Sequence, residues 1–356
     1  MFFKIVRLNS FLKLIKIYLM EKKKKKIIFG AIFFIIFLFL IFFSFSKNGE
    51  IRRIEISELE SMKKPPDIKE VSPFSGVSCK NYKNRAFGAV LAQYPETMPL
   101  SSPSSADIVI EAPVANAGGI TRLVAIFQCN EPKEIGSIRS VRPFMVDLSL
   151  GYDVIFSSWG GCESAISRIK KTGLSWFDAR TNPYGIFFRK RNIPAPHNGF
   201  TSFEGLKKAA KNSKFRNSNE FEGYHFFEKE EINFKKEEQE INITDYLYPV
   251  KYVYNSKSGN YFRFWNGQKM IDRNTGKQVF AKNVVVMKTK IKTLSPGVAD
   301  IKVSGSGDAI IWRAGEKIIG TWSKKDAKSK LVFLDKNKKE IKFIPGSLWI
   351  HIVSKF

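Results

Sequence analysis

Twenty consecutive residues without a charge, Ile27 to Ser46 (IIFGAIFFIIFLFLIFFSFS), constrain this chain more than any other stretch. About 20 apolar residues in a helix cross a hydrocarbon core of ~30 Å. Five lysines, Lys22 to Lys26, precede the run directly and Lys47 alone follows it. Basic residues collect on the cytoplasmic side of a span. The expectation is a single-pass membrane protein: a cytoplasmic basic segment at 1–26, a transmembrane anchor at 27–46, and the remainder outside the cell. A cleaved signal peptide has a shorter apolar region and a small-residue cleavage site. This run ends FFSFSKNGE, with no Ala-x-Ala and no nearby cysteine for lipid attachment. The first twenty residues read equally well as a basic amphipathic helix on the inner leaflet or as sequence upstream of a translation start at Met20.

The formal net charge is +26. Beyond Ser46, 50 basic side chains stand against 32 acidic ones, a net of +18. Most are lysines dispersed through turns, as in NSKSG and LDKNKKE, which reads as a solvated surface. No nucleic-acid partner is expected. The partners expected are the membrane, through 27–46, and an anionic lipid or cell-wall component met outside it.

With 44% hydrophobic residues the exported part can bury real cores. Residues 47–84 are polar and Pro/Ser-bearing and read as a linker. At 85–216, short β-branched runs (AFGAVLAQ, ADIVIEAPV, GITRLVAIFQ, YDVIFSSWG) alternate with helical patterns, which argues for a mixed α/β domain. Pro143 suits the first turn of a helix, Gly173 a helix end, and Thr201-Ser-Phe-Glu204 a capping box. Residues 217–244 form an acidic connector. From 245 to 356 apolar and polar residues alternate around Gly- and Asn-bearing turns, predicting a smaller, mostly-β domain. The fold class is therefore α+β behind a transmembrane helix. Trp265, Trp312, Trp322 and Trp349 read as core anchors of that second domain.

Catalytic signatures are absent: no His-Glu-x-x-His, no Gly-x-Ser-x-Gly and no phosphate loop. Cys79, Cys129 and Cys162 include no Cys-x-x-Cys pair, and no metal site or cofactor is expected. In an oxidising compartment Cys129 and Cys162 can pair, but Cys129 ends an apolar strand and reads as a buried thiol. The chemistry that remains lies in the first domain. Asp107 and Glu111 flank a strand, Arg122 opens the next, Arg139 and Arg142 follow in GSIRSVRPFMVDL, and His197-Asn198 sit in a Pro-rich loop. Converging arginines suit a phosphate or carboxylate, which a guanidinium grips bidentately. Asp107, Arg122, Arg139, Arg142, His197 and Asn198 form the candidate anion site. The competing account pairs the three arginines with Asp107, Glu111 and Asp147 as internal scaffolding, and the reading leans towards it.

The block ADIVIEAPVANAGGITRLVAIFQCNEPKEIGSIRSVRPFMVDLSLGYDVIF and the later PHNGFTS resemble the first domain of the YerB family of bacterial envelope proteins. GSGDAIIWRAGEKIIGTWSK and IPGSLWIHIV are similar to that family's C-terminal domain. The resemblance covers roughly Asn84 to Val353. It implies a two-domain extracytoplasmic protein, usually a lipoprotein, without an assigned activity. The chain departs from the pattern in lacking the lipobox cysteine, in carrying Ala92-Gln93 where the family tends to have Asp-Asn, and in lacking a His before Gly160-Gly161. The chain is thus read as a binding or scaffold module of the envelope, more a binder than an enzyme. A looser, fold-level analogy runs to the LytR-CpsA-Psr enzymes, which transfer glycans from polyprenyl-phosphate carriers. Only that reading would bring a Mg²⁺ ion. A purely structural envelope role is the remaining alternative.

Overall fold

The computed structural model describes residues 70–356. The expected anchor at 27–46 and the basic segment before it lie outside the described residues. No helix among the described residues is long and apolar enough to cross a membrane.

Thirteen strands and three helices carry the fold. In chain order they are β1 (Phe87–Gln93), β2 (Ile108–Pro113), β3 (Thr121–Phe127), α1 (Pro143–Gly151), β4 (Ile155–Ser158), α2 (Glu163–Thr172), β5 (Trp176–Asp178) and α3 (Phe203–Asn212). Then follow β6 (Glu240–Ile243), β7 (Val250–Asn255), β8 (Asn260–Trp265), β9 (Asn283–Lys288), β10 (Gly305–Arg313), β11 (Glu316–Lys324), β12 (Val332–Leu334) and β13 (Leu348–Val353). Ten of them make one sheet in the order β12-β11-β10-β9-β13-β2-β3-β1-β4-β5. The expected first and second domains therefore share this sheet, joined where β2 and β13 run parallel, Ile108 beside Leu348 and Glu111 beside His351.

The central strands are buried on both faces, which is why they read as unbroken apolar runs. Neighbouring residues point to opposite sides. Val90, Ile110, Val124 and Ile350 enter a core with Phe144 and Met145 of α1 and Ile169 of α2. Leu91, Val109, Leu123 and Trp349 enter a second core with Leu206 of α3 and with Tyr252 and Tyr261 of the smaller sheet β6-β7-β8. The sheet is thus sandwiched between α1 and α2 on one side and α3 and the smaller sheet on the other. The four tryptophans of the second half are all buried, Trp322 completely.

Local signals decide the ends of elements. Pro143 occupies the first turn of α1, and Gly173, at φ +68°, ends α2 in the left-handed conformation. The cap of α3 falls one residue later than the box pattern suggests: Ser202 Oγ accepts from the Gly205 N–H at 3.0 Å. The β10–β11 hairpin turns through Ala314 and Gly315, both at positive φ, the geometry that matches strand twist.

Both segments read as connectors hold packed residues, in the first within its described part, 70–84. Phe74, in the stretch read as linker, is fully buried. In the acidic stretch Tyr224 is buried and its hydroxyl meets that of Tyr152 at 2.8 Å. Neither could have been recognised from composition, because single aromatics inside polar sequence do the packing. The cysteine expectation is also corrected. Cys79 and Cys129 form a disulfide across 50 residues, while Cys162 is free. Closing a loop of that length stabilises by about 4 kcal/mol on chain-entropy grounds. Non-reducing peptide mapping should therefore link Cys79 to Cys129 and find Cys162 alkylated, and Cys79→Ser/Cys129→Ser should lower stability by a few kcal/mol.

Behind the β2–β13 junction lies a closed polar network. Glu111 Oε2 accepts from Arg263 Nη2 at 2.7 Å, and both side chains are fully buried. Arg263 Nη1 donates to the Tyr252 hydroxyl at 2.8 Å, which meets His351 Nε2 at 2.9 Å. The guanidinium also lies 4.5 Å from the Trp349 ring centre. Burial opposes the Arg263 charge, but Glu111 and Tyr252 outweigh it and the net shift is upward. Removing one partner of such a pair strands the other and costs about 3–5 kcal/mol. Urea denaturation should show that loss for Glu111→Gln, and a much smaller one for Glu111→Leu/Arg263→Met.

His351 is held neutral, its pKa pushed well below the imidazole value by burial and then by Arg263. The unfolded chain takes up that proton below about pH 6.5, whereas the folded one does not. The stability gained by keeping His351 neutral is whole above that pH and falls as pH drops below it, by at most about 1.4 kcal/mol per unit. Denaturation midpoints should decline from pH 6.5 to 5, and His351→Gln should flatten the decline.

Candidate functional site

The antiparallel strands β1 and β3 set Ala92 beside Arg122 and Gln93 beside Thr121. At this carboxyl end of β1 its parallel neighbour β4 parts from it, and the segment after Ser137 slots between them. The Arg139 N–H donates to Val90 O at 2.9 Å, and the Trp159 N–H to Arg139 O at 3.0 Å. Gly199–Thr201 pairs with Ile135–Gly136, which brings the Pro194–Asn198 loop across Arg139. The result is a cleft of about 300 Å³ lined by Gln93, Tyr94, Thr121, Arg122, Arg139 and His197. Splayed carboxyl ends of strands are where α/β sheets gather ligand groups.

The arginines are bound to neutral oxygens. Arg122, only 9% exposed, donates Nη1 to Ser140 O at 2.5 Å. Arg139 Nη1 donates to Pro196 O at 3.0 Å. Arg142 Nη2 donates to Gly297 O at 3.0 Å and Nε to Val114 O at 3.3 Å. Arg189 lies 4.2 Å from the Trp159 ring centre and donates to Asn198 Oδ1 at 2.6 Å. Among the described residues none of these four meets a carboxylate.

The expected internal pairing is thereby corrected, because its three carboxylates are engaged elsewhere. Asp107 accepts from Ser75 Oγ at 2.5 Å and from the Gln128 and Cys129 N–H groups at 2.7 and 3.1 Å. Glu111 faces Arg263 and also accepts from Gln93 Nε2 at 2.6 Å and Thr121 Oγ1 at 2.7 Å. Asp147 pairs with Arg168 at 2.9 Å.

The surroundings leave the cleft strongly positive. Burial, then Arg142 and Arg139, push the Arg122 pKa down to about 9, at which a guanidinium still carries its charge at neutral pH. Arg139 is lowered by burial, Arg142 and Arg189, and Arg142 by burial. Helices α1 and α2 begin beside one another, with Val141 bridged to Gly161, and neither start has a side-chain cap. The positive dipole end of α1 adds to the same potential, whereas at α2 the first-turn Glu163 opposes it. His197 stacks on Tyr94 with ring centres 5.7 Å apart, and its Nδ1 is buried without a partner among the described residues. Burial and Arg139 lower its pKa, leaving a neutral imidazole beside two guanidinium groups.

The structure thus brings together Arg122, Arg139 and His197 of the candidate set. Arg142 contributes charge from behind, and Asn198 orients Arg189 rather than lining the cleft. Asp107 stands at the other end of β2, about 15–20 Å away by strand rise, and belongs to the disulfide region. Sequence reasoning missed Gln93, Tyr94, Thr121 and Arg189; the basic run in FFRKRN was the one signal for Arg189. No three His, Cys, Asp or Glu residues among those described converge as metal ligands, and no carboxylate lines the cleft.

These features define a class: a mixed α/β protein built mostly from strands, in two domains. Family models described as the N-terminal and C-terminal domains of a protein of unknown function, DUF3048, match residues 74–216 and 240–350. The chain is 30% identical over 291 residues to "Putative lipoprotein YerB" of Bacillus subtilis (strain 168), covering 79% of this chain and 86% of that protein. The crystal structure of Bacillus subtilis YerB superposes with a TM-score of 0.71 at 28% identity, covering 80% of this chain and 97% of that one. The chain belongs to the YerB family.

Proposed function

We propose that this chain is an envelope binding module, held at the outer face of the membrane, whose arginine cleft takes a phosphate or carboxylate group. The lipoprotein name of the relative and the lysine-flanked apolar run at 27–46 support the location. A disulfide across 50 residues fits an oxidising compartment. One observation carries the binding reading: Arg122 is buried, charged and without a counter-ion among the described residues. A buried charge is tolerated only when compensated, and an arriving anion supplies that compensation. The cleft offers more grip than chemistry: Thr121 Oγ1 is committed to Glu111, no carboxylate lines it, and the neutral His197 is its one candidate base.

The fragment 70–356 closes both cores on itself and serves for the test. Titration calorimetry with sulfate, whose charge is constant near neutrality, should detect binding that Arg122→Met weakens at least tenfold, while circular dichroism shows the fold retained. Binding that survives this change refutes the assignment. Because an anion favours protonated His197, sulfate should bind more tightly at pH 5.5 than at pH 7.5, and His197→Gln should remove the difference.

A further inference from the structure

The arginine cleft does not end at Tyr94. Its next residue, Pro95, opens a second concavity of about 510 Å³, lined by Pro95, Met98, Pro99, Trp265, Met270 and Ile271 among others. An aromatic run joins the two. Tyr94 meets Tyr248 edge-on, with ring centres 6.0 Å apart, and Tyr248 lies 4.8 Å from Trp265. From His197 through Tyr94 and Tyr248 to Trp265, a cationic cleft passes into an apolar groove; neither lining holds a carboxylate, and the exposed Glu96 acts on His197 and Tyr248 from beside the junction.

The groove also takes Asn266, Gln268 and Lys269 into its lining, but its backbone offers little that could read a peptide. Pro95 and Pro99 have no N–H. The Met98 N–H donates to Pro95 O at 3.1 Å, that of Met270 to Arg263 O at 3.1 Å, and that of Asn266 to Pro249 O at 2.8 Å. Such a surface suits an occupant that asks for no hydrogen bonds. Methionine and proline walls are adaptable and hydrocarbon-like, and Lys269 is the one charged residue in the groove's lining, against two arginines in the cleft.

Building on the anion-binding reading, we infer that the ligand is an amphiphile with a phosphate head in the arginine cleft and a hydrocarbon chain in the groove beyond Tyr94. Arg122 and Arg139 take the head, and His197 supplies a further donor when protonated. The chain runs past Tyr248 onto Trp265 and Met98.

Titration calorimetry of the fragment 70–356 with methyl, hexyl and decyl phosphate, all below micelle-forming concentrations, tests this. Each methylene fully buried strengthens binding about fourfold, so decyl phosphate should bind at least tenfold more tightly than methyl phosphate. Met98→Glu/Ile271→Glu, at two half-buried positions, should erase the gain with chain length and leave methyl phosphate unaffected. Arg122→Met should weaken all three. Equal affinity for methyl and decyl phosphate overturns the lipid-like ligand while leaving the anion cleft standing. Decyl maltoside binding as tightly as decyl phosphate overturns it too, because the groove would then act without the cleft. Failure of every phosphate, methyl phosphate included, removes the anion-binding reading itself.

Discussion

The ion pair between Glu111 and Arg263 is the constraint on which the rest depends. It joins a strand of the first family domain to a strand of the second, and neither side chain reaches water. Such a pair is costly to bury and is retained only where every remaining lone pair and proton is met. Here they are met by Gln93, Thr121, Tyr252 and the sulfur of Met270. The same network fixes how β2, β3, β8 and β13 sit against one another.

The arginine cleft is a by-product of this arrangement. Gln93 and Thr121 have one side committed to Glu111 and the other turned to the cleft. Glu111, on the neighbouring strand beside Leu123, is an acid that could have neutralised Arg122, and Arg263 already occupies it. The positive cleft and the neutral interior are thus two sides of one electrostatic arrangement, in which the negative charge faces inward.

How much of this was legible in the sequence follows from the range of each interaction. Strands such as Ile108–Pro113 and Thr121–Phe127 announce themselves because burial on both faces leaves unbroken apolar runs. Helix ends at Pro143 and Gly173 are local and were readable; the cap at Ser202 was displaced by one residue because Thr201 was claimed by a strand. Arg122, Arg139 and Arg142 were visible as a cluster because they fall within twenty-one residues. Their lack of partners was not, since it depends on Glu111 finding Arg263 across 152 residues. The Cys79–Cys129 pairing and the aromatic run to Trp265 are invisible for the same reason: sequence patterns report neighbours along the chain, and these are neighbours only in space.

The parallel pairing of β2 with β13 also bears on how the protein is made. The strand at the middle of the ten-stranded sheet comes from residues 348–353, after every other strand of the fold. Until it has been synthesised, the apolar edge of Ile108–Pro113 has no neighbour, and an unpaired edge of that kind recruits other chains. A nascent chain must therefore be shielded until Leu348–Val353 has emerged. The two family domains, separable in sequence, also cannot be exchanged between proteins as independent cassettes.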